Sequence, residues 1–378
     1  MSKIDELISE LCPEGVNIFE LGEVVRIRNG RDFKHLGTGT VPVYGSGGVM
    51  QHVSESFHEG PSVLIPRKGS LGNLFFVDIP FWTVDTIFYT EVGDALEPKY
   101  FFYFLKTKDL ASMNFAGGVP SLTQTMLNKV SIPIPPLEVQ REIVSILDKF
   151  TQLEAELEAE LEARRSQYEH TRDQLLDFSG DLSSHPMREL IAEFCPNGVK
   201  SLSIAEIAEV GTGSSDKKDS AISGLFPLYV RSKNVEKSDT FEFDETAIII
   251  PGEGGVGDIF HFATGKYALH QRAYRISPVD SRVDPKYLFY AFKVLFKDHI
   301  SSKAVSATVT SIRKPMVTSF SVPIPPLEVQ REIVSILDKL DALVNDLTFG
   351  LPAEISARRK QYENYRNKLL TFKELEAA

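Results

Sequence analysis

Residues 133–149 read PIPPLEVQREIVSILDK, and residues 323–339 read the same seventeen letters again, 190 positions later. Chance does not repeat seventeen residues, so the chain is a duplication, and its fold has to be read as two copies of one unit. The match continues outward more weakly. Upstream, LCPEGV (11–16) pairs with FCPNGV (194–199), LGEVVRIRNG (21–30) with IAEIAEVGTG (204–213), LIPRKGSLGNLFF (64–76) with IIPGEGGVGDIFH (249–261), and PKYFFYFLK (98–106) with PKYLFYAFK (285–293). Downstream, ARRSQYEHTRDQLLDF (163–178) pairs with ARRKQYENYRNKLLTF (357–372). Each half is a variable segment of about 130 residues followed by a shared segment of about 50.

The shared segment reads as a long helix. Pro133 and Pro135 favour extended chain, Pro136 suits a first helical position where its missing N–H costs nothing, and Glu138 complements the helix dipole in the first turn. Ile143, Leu147, Phe150, Glu154, Leu157, Leu161, Arg164, Tyr168, Thr171, Leu175 and Phe178 then recur at alternating spacings of four and three, a heptad seam with polar interruptions. Such a helix is roughly 60 Å long at about 1.5 Å per residue. It cannot bury its own seam, and the comparable stripe is its repeat, with Ile333, Leu337, Leu340, Val344 and Leu347 at the same spacing. The two copies are therefore expected to pack on each other. The second carries four extra residues around Thr348 to Pro352, and Gly350 and Pro352 there should kink or break it.

Composition is compatible with this frame. At 378 residues and 42% hydrophobic content the chain can build two or more cores. No apolar run approaches 18 residues, and Met1 to Glu10 is polar and amphipathic, so a cytoplasmic location is expected. The two cysteines, Cys12 and Cys195, occupy equivalent Cys-Pro-X-Gly-Val motifs and read as buried free thiols, not metal ligands. A net charge of −11 lowers the expectation of nucleic-acid binding without removing it, because net charge averages over faces.

Two variable domains alternating with two near-identical helical regions, together with the PIPPLEVQREI and ARR-x-QYE motifs and the Cys-Pro-X-Gly-Val starts, resemble the specificity subunit of type I restriction–modification enzymes. The resemblance spans almost the whole chain. It implies an α/β (α+β) architecture: target-recognition domains at 1–130 and 183–320, and conserved helical regions at 131–182 and 321–378, the two long helices pairing as an antiparallel coiled coil with pseudo-two-fold symmetry. Each recognition domain would read one half of a bipartite, asymmetric duplex site. The helices would separate the domains and dock two methyltransferase subunits, which recruit two motor-nuclease subunits. The chain itself would bind no cofactor; S-adenosylmethionine, ATP and Mg belong to the partners. Leu153 to Arg164, LEAELEAELEAR, resembles the short tandem repeats that set half-site spacing in this family, each added unit lengthening a helix by about 6 Å and turning it about 40°.

Basic and amide side chains near glycine turns are the candidate DNA contacts, since Arg and Lys suit phosphates and guanine edges while Asn and Gln suit adenine. In the first half these are Arg26, Arg28, Arg31, Lys34 and His35 beside Gly30, with Arg67 and Lys68 after an apolar strand-like stretch. In the second they are Lys217, Lys218, Arg231, Lys233 and Asn234, then Gln271, Arg272, Arg313 and Lys314.

Catalytic alternatives are thin. Gly252, Gly254 and Gly257 satisfy a dinucleotide-type spacing, but the following residues alternate like a strand instead of opening a helix. Neither Pro-Pro pair is followed by the aromatic residue that amino-methyltransferases require. Asp85, Glu97 and Lys99 could be forced into a nuclease set, yet Glu97 and Lys99 belong to a landmark that recurs as Asp284 to Tyr287 and reads as the start of a helix. No histidine pair has metal-ligand spacing, so no active site is expected. The competing class is a helical repeat scaffold that holds other proteins without reading DNA.

Overall fold

The computed structural model describes residues 2–113, 121–302, 311–346 and 349–375. The chain divides into two compact units: Met1–Glu158 with Glu354–Ala378, and Ala159–Ala353. The first division falls inside the tandem LEAE stretch of one continuous 40-residue helix, Leu137–Leu176. Its repeat is broken into Leu327–Asn345 and Leu351–Leu369. The break falls among the four extra residues around Thr348 to Pro352, and Leu347 and Thr348 lie outside the described residues. Pro136 and Pro326 immediately precede their helices and do not occupy the first turn. Each continues an extended segment that pairs antiparallel with an early strand, Ser131–Ile134 with Asn17–Glu20 and Ser321–Ile324 with Lys200–Ser203.

In the first unit a four-stranded sheet runs in the order Val25–Asn29, Ile87–Val92, Ser62–Pro66, Phe75–Val77. A three-stranded sheet is built from Gly48–Val53, Thr38–Gly45 and Trp82–Thr83. The core joins Val63, Ile65, Tyr100, Phe101 and Phe104 to Val139, Ile143 and Leu147 of the long helix and to Leu370 just after the last one, with Tyr362, Leu369 and Phe372 packed against it. In the second unit a six-stranded sheet runs Ala208–Thr212, Ala273–Pro278, Phe243–Pro251, His261–Leu269, Phe226–Tyr229, Glu236–Ser238. Its core joins Ile248, Tyr287, Phe292 and Phe296 to Tyr168, Leu175 and Leu176 and to Ile333, Leu337 and Val344.

The helical seam is therefore shared between two kinds of contact. Ile143, Leu147, Ile333 and Leu337 are fully buried against sheet-bearing residues as well as helix. Direct helix pairing shows where the domains leave room. Within the first unit Phe150 stacks on Tyr365 at 5.6 Å and meets Tyr362 at 6.1 Å, while Arg359 bonds both Glu154 and Glu158. The order of these contacts makes the pairing antiparallel. Within the second, Tyr168 donates to Asp341 at 3.1 Å, with Leu161 and Leu340 packed on the same core. Leu157 is half-buried. Cys12 is buried and Cys195 is half-buried, a correction to the expectation of two buried thiols; both are free.

One joint appears twice. Gln140 is fully buried near the start of its helix; its Oε1 accepts from Glu97 N at 2.8 Å, and its Nε2 donates to the carbonyls of Ala95 (2.8 Å) and Pro135 (2.7 Å). Gln330 repeats the arrangement on Asp284 N (2.8 Å), Arg282 O (2.8 Å) and Pro325 O (2.6 Å). Tyr100 and Tyr287 donate to Pro133 O and Pro323 O at 2.9 and 2.8 Å. Tyr103 and Lys99 converge on Asp148, and Tyr290 and Lys286 on Asp338, all at 2.5–2.8 Å. Burial, reinforced by Asp148, pushes the Tyr103 phenol up, so it stays a donor. The PKY landmark begins the helices Pro98–Leu105 and Pro285–Ser302, and it also fastens each variable domain to its shared helix.

Candidate nucleic-acid interface

The strand Val25–Asn29 leaves its sheet at Gly30, where a Cβ would sit 2.1 Å from Val84 O; Gly213 holds the matching place, 1.8 Å from Leu269 O. Only glycine permits so close a backbone approach. From there the candidate loops gather. In the first unit Arg31 N donates to Thr83 O at 2.7 Å, and Arg67 N and Lys68 N to Thr86 O at 2.9 and 3.3 Å. The short Thr83–Thr86 segment thus ties two sequence-distant basic loops together. Trp82 Nε1 donates to Arg31 O at 3.1 Å, the His35 ring meets Trp82 edge-on at 5.8 Å, and the Arg31 guanidinium lies 5.4 Å from the Phe57 ring. Lys34 and Lys68 are exposed, and Arg67 is half-buried 5.8 Å from the Phe88 ring.

Arg26 and Arg28 do not join this group. Both lie on the strand itself, in register with Glu91 and Tyr89, and Arg28 Nε is 3.6 Å from a Glu91 carboxylate oxygen. Arg26 lines a hollow of about 440 Å³ with Gly93 to Leu96, the stretch that Gln140 holds. A strand's alternation places its side chains by register, which a count of basic residues does not see.

The second unit closes a corresponding set of loops. Gln271 N donates to Ser215 O, and Gly252 N to Arg272 O, each at 2.8 Å. Ile312 N donates to Gly252 O at 2.8 Å, which brings Arg313 and Lys314 alongside. His261 Nε2 lies 2.9 Å from Ser232 O, anchoring the exposed loop of Arg231, Lys233 and Asn234. Lys217 and Lys218 sit on a single turn capped by Asp216, whose carboxylate is 3.4 Å from the buried His270. Lys217, Arg231 and His270 line one groove of about 290 Å³. At its edge stands Glu253: one carboxylate oxygen accepts from Arg231 Nη1 and from Arg272 Nη1, the latter at 2.7 Å. The Arg272 hydrogen bond holds the Glu253 carboxyl below its usual range.

Glu253, Asp216 and His270 were not among the sequence candidates, because a search for phosphate-binding side chains passes over acids. The available signal was alignment of the halves, which sets Glu253 opposite Lys68. The structure places both positions alike: Lys68 bridges antiparallel to Ser121, and Glu253 to Ser311. The glycine-rich stretch after Pro251 is a turn, with Gly254, Gly255 and Gly257 at positive φ, and it leads into the strand His261–Leu269 and not into a helix. Among the described residues no group of three or more metal-ligating side chains comes together, and no helix is long and apolar enough to cross a membrane. Lys99 is engaged by Asp148 and the Glu97 N–H by Gln140, so the EPK sequence is taken up by the joint.

The sequence matches the type I restriction modification DNA specificity domain twice, over residues 13–163 and 196–357. The chain belongs to that family. It is 30% identical over 357 residues to a putative type I restriction enzyme specificity subunit of Haemophilus influenzae, covering 89% of both chains. It is 33% identical over 290 residues to the EcoR124I/EcoR124II specificity subunit of Escherichia coli, covering 72% of this chain and 70% of that one. The fold is similar to the crystal structure of a type I restriction–modification S subunit from M. genitalium, with a TM-score of 0.64, 17% identity, and 94% and 96% of the two chains covered. It also resembles a chain from a structure concerned with complex assembly and conformational transition of the type I system, with a TM-score of 0.60, 16% identity, and 95% and 98% covered.

Proposed function

We propose that each variable domain reads one half of a bipartite, asymmetric DNA site through its gathered loops, and that the paired helices set the gap between half-sites. The single observation that carries this reading is the equivalent placement of Lys68 and Glu253: one loop position, the same backbone bridge, opposite charge. A scaffold that merely held proteins would have no use for fixed frames with exchanged loop chemistry. Two domains reading unlike half-sites require it. The net charge of −11 is no obstacle, since Arg31, Lys34, Arg67, Lys68, Lys233 and Arg313 lie on loops, with Lys217, Lys218 and Lys314 on short helical turns beside them, while the acids of LEAELEAELEAR lie on the long helix.

The exposed helical surfaces would dock two methyltransferase subunits, which in turn hold two motor-nuclease subunits. In this reading the chain is non-catalytic, and S-adenosylmethionine, ATP and Mg act on the partners. Phosphate contacts by Lys and Arg would supply most of the affinity and make it fall with salt. Methylome sequencing of cells with and without this chain tests the proposal. A split adenine-methylated motif should disappear on deletion; methylation that does not change would leave the scaffold reading.

A further inference from the structure

We propose that Glu253 is a specificity-determining positioning residue, which holds Arg231 and Arg272 side by side so that they read guanine in the half-site of the second domain. The inference rests on the DNA-reading function above and adds which residue sets the base preference. Three loops meet at this carboxylate. Arg231 comes from the turn after Phe226–Tyr229, Glu253 from the glycine turn, and Arg272 from the turn before Ala273–Pro278. Each loop is itself fixed by backbone: Ser232 O by His261, Gly252 by Arg272 O and Ile312 N, and Arg272 N by His270 Nδ1 at 2.9 Å.

A guanidinium carries donors on more than one edge, so a carboxylate that takes Nη1 tethers one corner of the group and leaves its remaining donors available. The two guanidinia are partly exposed, with side-chain accessibilities of 43% for Arg231 and 62% for Arg272. Guanine offers two acceptors, N7 and O6, on its major-groove edge, and bidentate arginine is the contact that matches them. Free arginines would serve phosphates equally well. Arginines held by a shared carboxylate lose that latitude, since a phosphate would be repelled by Glu253 at the same point. The first domain has Lys68 at this position, so the loop there presents a cation directly and is expected to read different bases.

The test is motif determination by methylome sequencing of cells carrying the full chain with its methyltransferase subunits, comparing wild type with Glu253→Ala and Glu253→Gln. With Glu253→Ala, one guanine-bearing position in one half-site should lose about tenfold or more of its discrimination. The other half-site should be unchanged. Glu253→Gln, which keeps an acceptor oxygen, should retain part of the preference, a graded rescue that loss of folding would not give. If Glu253→Ala abolishes methylation, Arg231→Lys and Arg272→Lys decide: each should loosen the guanine preference of that one half-site, and loss spread over both half-sites overturns the proposal. An unaltered motif with Glu253→Ala, or a second half-site without guanine, also overturns it. A wild-type chain that directs no split motif would instead refute the DNA-reading function itself.

Discussion

The joint between domain and helix and the loops at the candidate interface come from the same duplication, yet they have aged differently. Gln140 and Gln330, Tyr100 and Tyr287, and Asp148 and Asp338 make the same bonds in both halves to within about 0.1 Å. The loops keep only their glycines and bridges. Arg28 on an edge strand pairs with Glu91 on its neighbour in the first unit, while Glu209 pairs with Arg275 in the second. Lys68 faces Glu253 in the alignment. A buried amide that satisfies three backbone groups tolerates no substitute, whereas an exposed side chain is free to follow the base it meets.

If the joint is structural in both halves, matched substitutions should cost the same in each. Leu147→Ala and Leu337→Ala, both fully buried, should each destabilise by about 2–5 kcal/mol in denaturant unfolding of the full chain. Gln140→Ala and Gln330→Ala should follow at roughly 1–3 kcal/mol, because a buried peptide N–H is left without an acceptor. Tyr103→Phe and Tyr290→Phe each remove the phenol's bond to the aspartate, Tyr103 also a longer contact to Thr151, and should cost about 1 kcal/mol. Marked inequality within any pair would break the claim of a repeated joint. Arg31→Ala belongs to the other class. It should change stability by no more than about 0.5 kcal/mol while weakening duplex binding and reducing its salt slope, by roughly 1 if a phosphate contact is lost. Unaltered binding would remove Arg31 from the interface.

The frame was legible because helices and repeats are written locally: the heptad spacing, the break around Gly350 and the glycine turn after Pro251 all announce themselves within a few residues. The seam was half-read, since spacing shows that Ile143 must be buried without saying whether helix or sheet covers it. The joint escaped because Gln140 and Gln330 are identical in both halves and polar, so neither contrast nor hydropathy marks them. The candidate contacts were chosen by residue type, and the structure sets Arg31 and Arg67 on loops that share the Thr83–Thr86 segment and brings Arg231 and Arg272 together on Glu253. Residue type did not show that Arg26 and Arg28 lie on a strand apart from those loops, nor did it mark Glu253, whose two arginine partners lie 22 and 19 residues away.

Exchanging residues 1–130 for the corresponding domain of another family member, followed by methylome sequencing, tests the central claim most directly. One half of the recognised motif should change while the other half and the gap between them stay as they were. A change in both halves, or in neither, would contradict it.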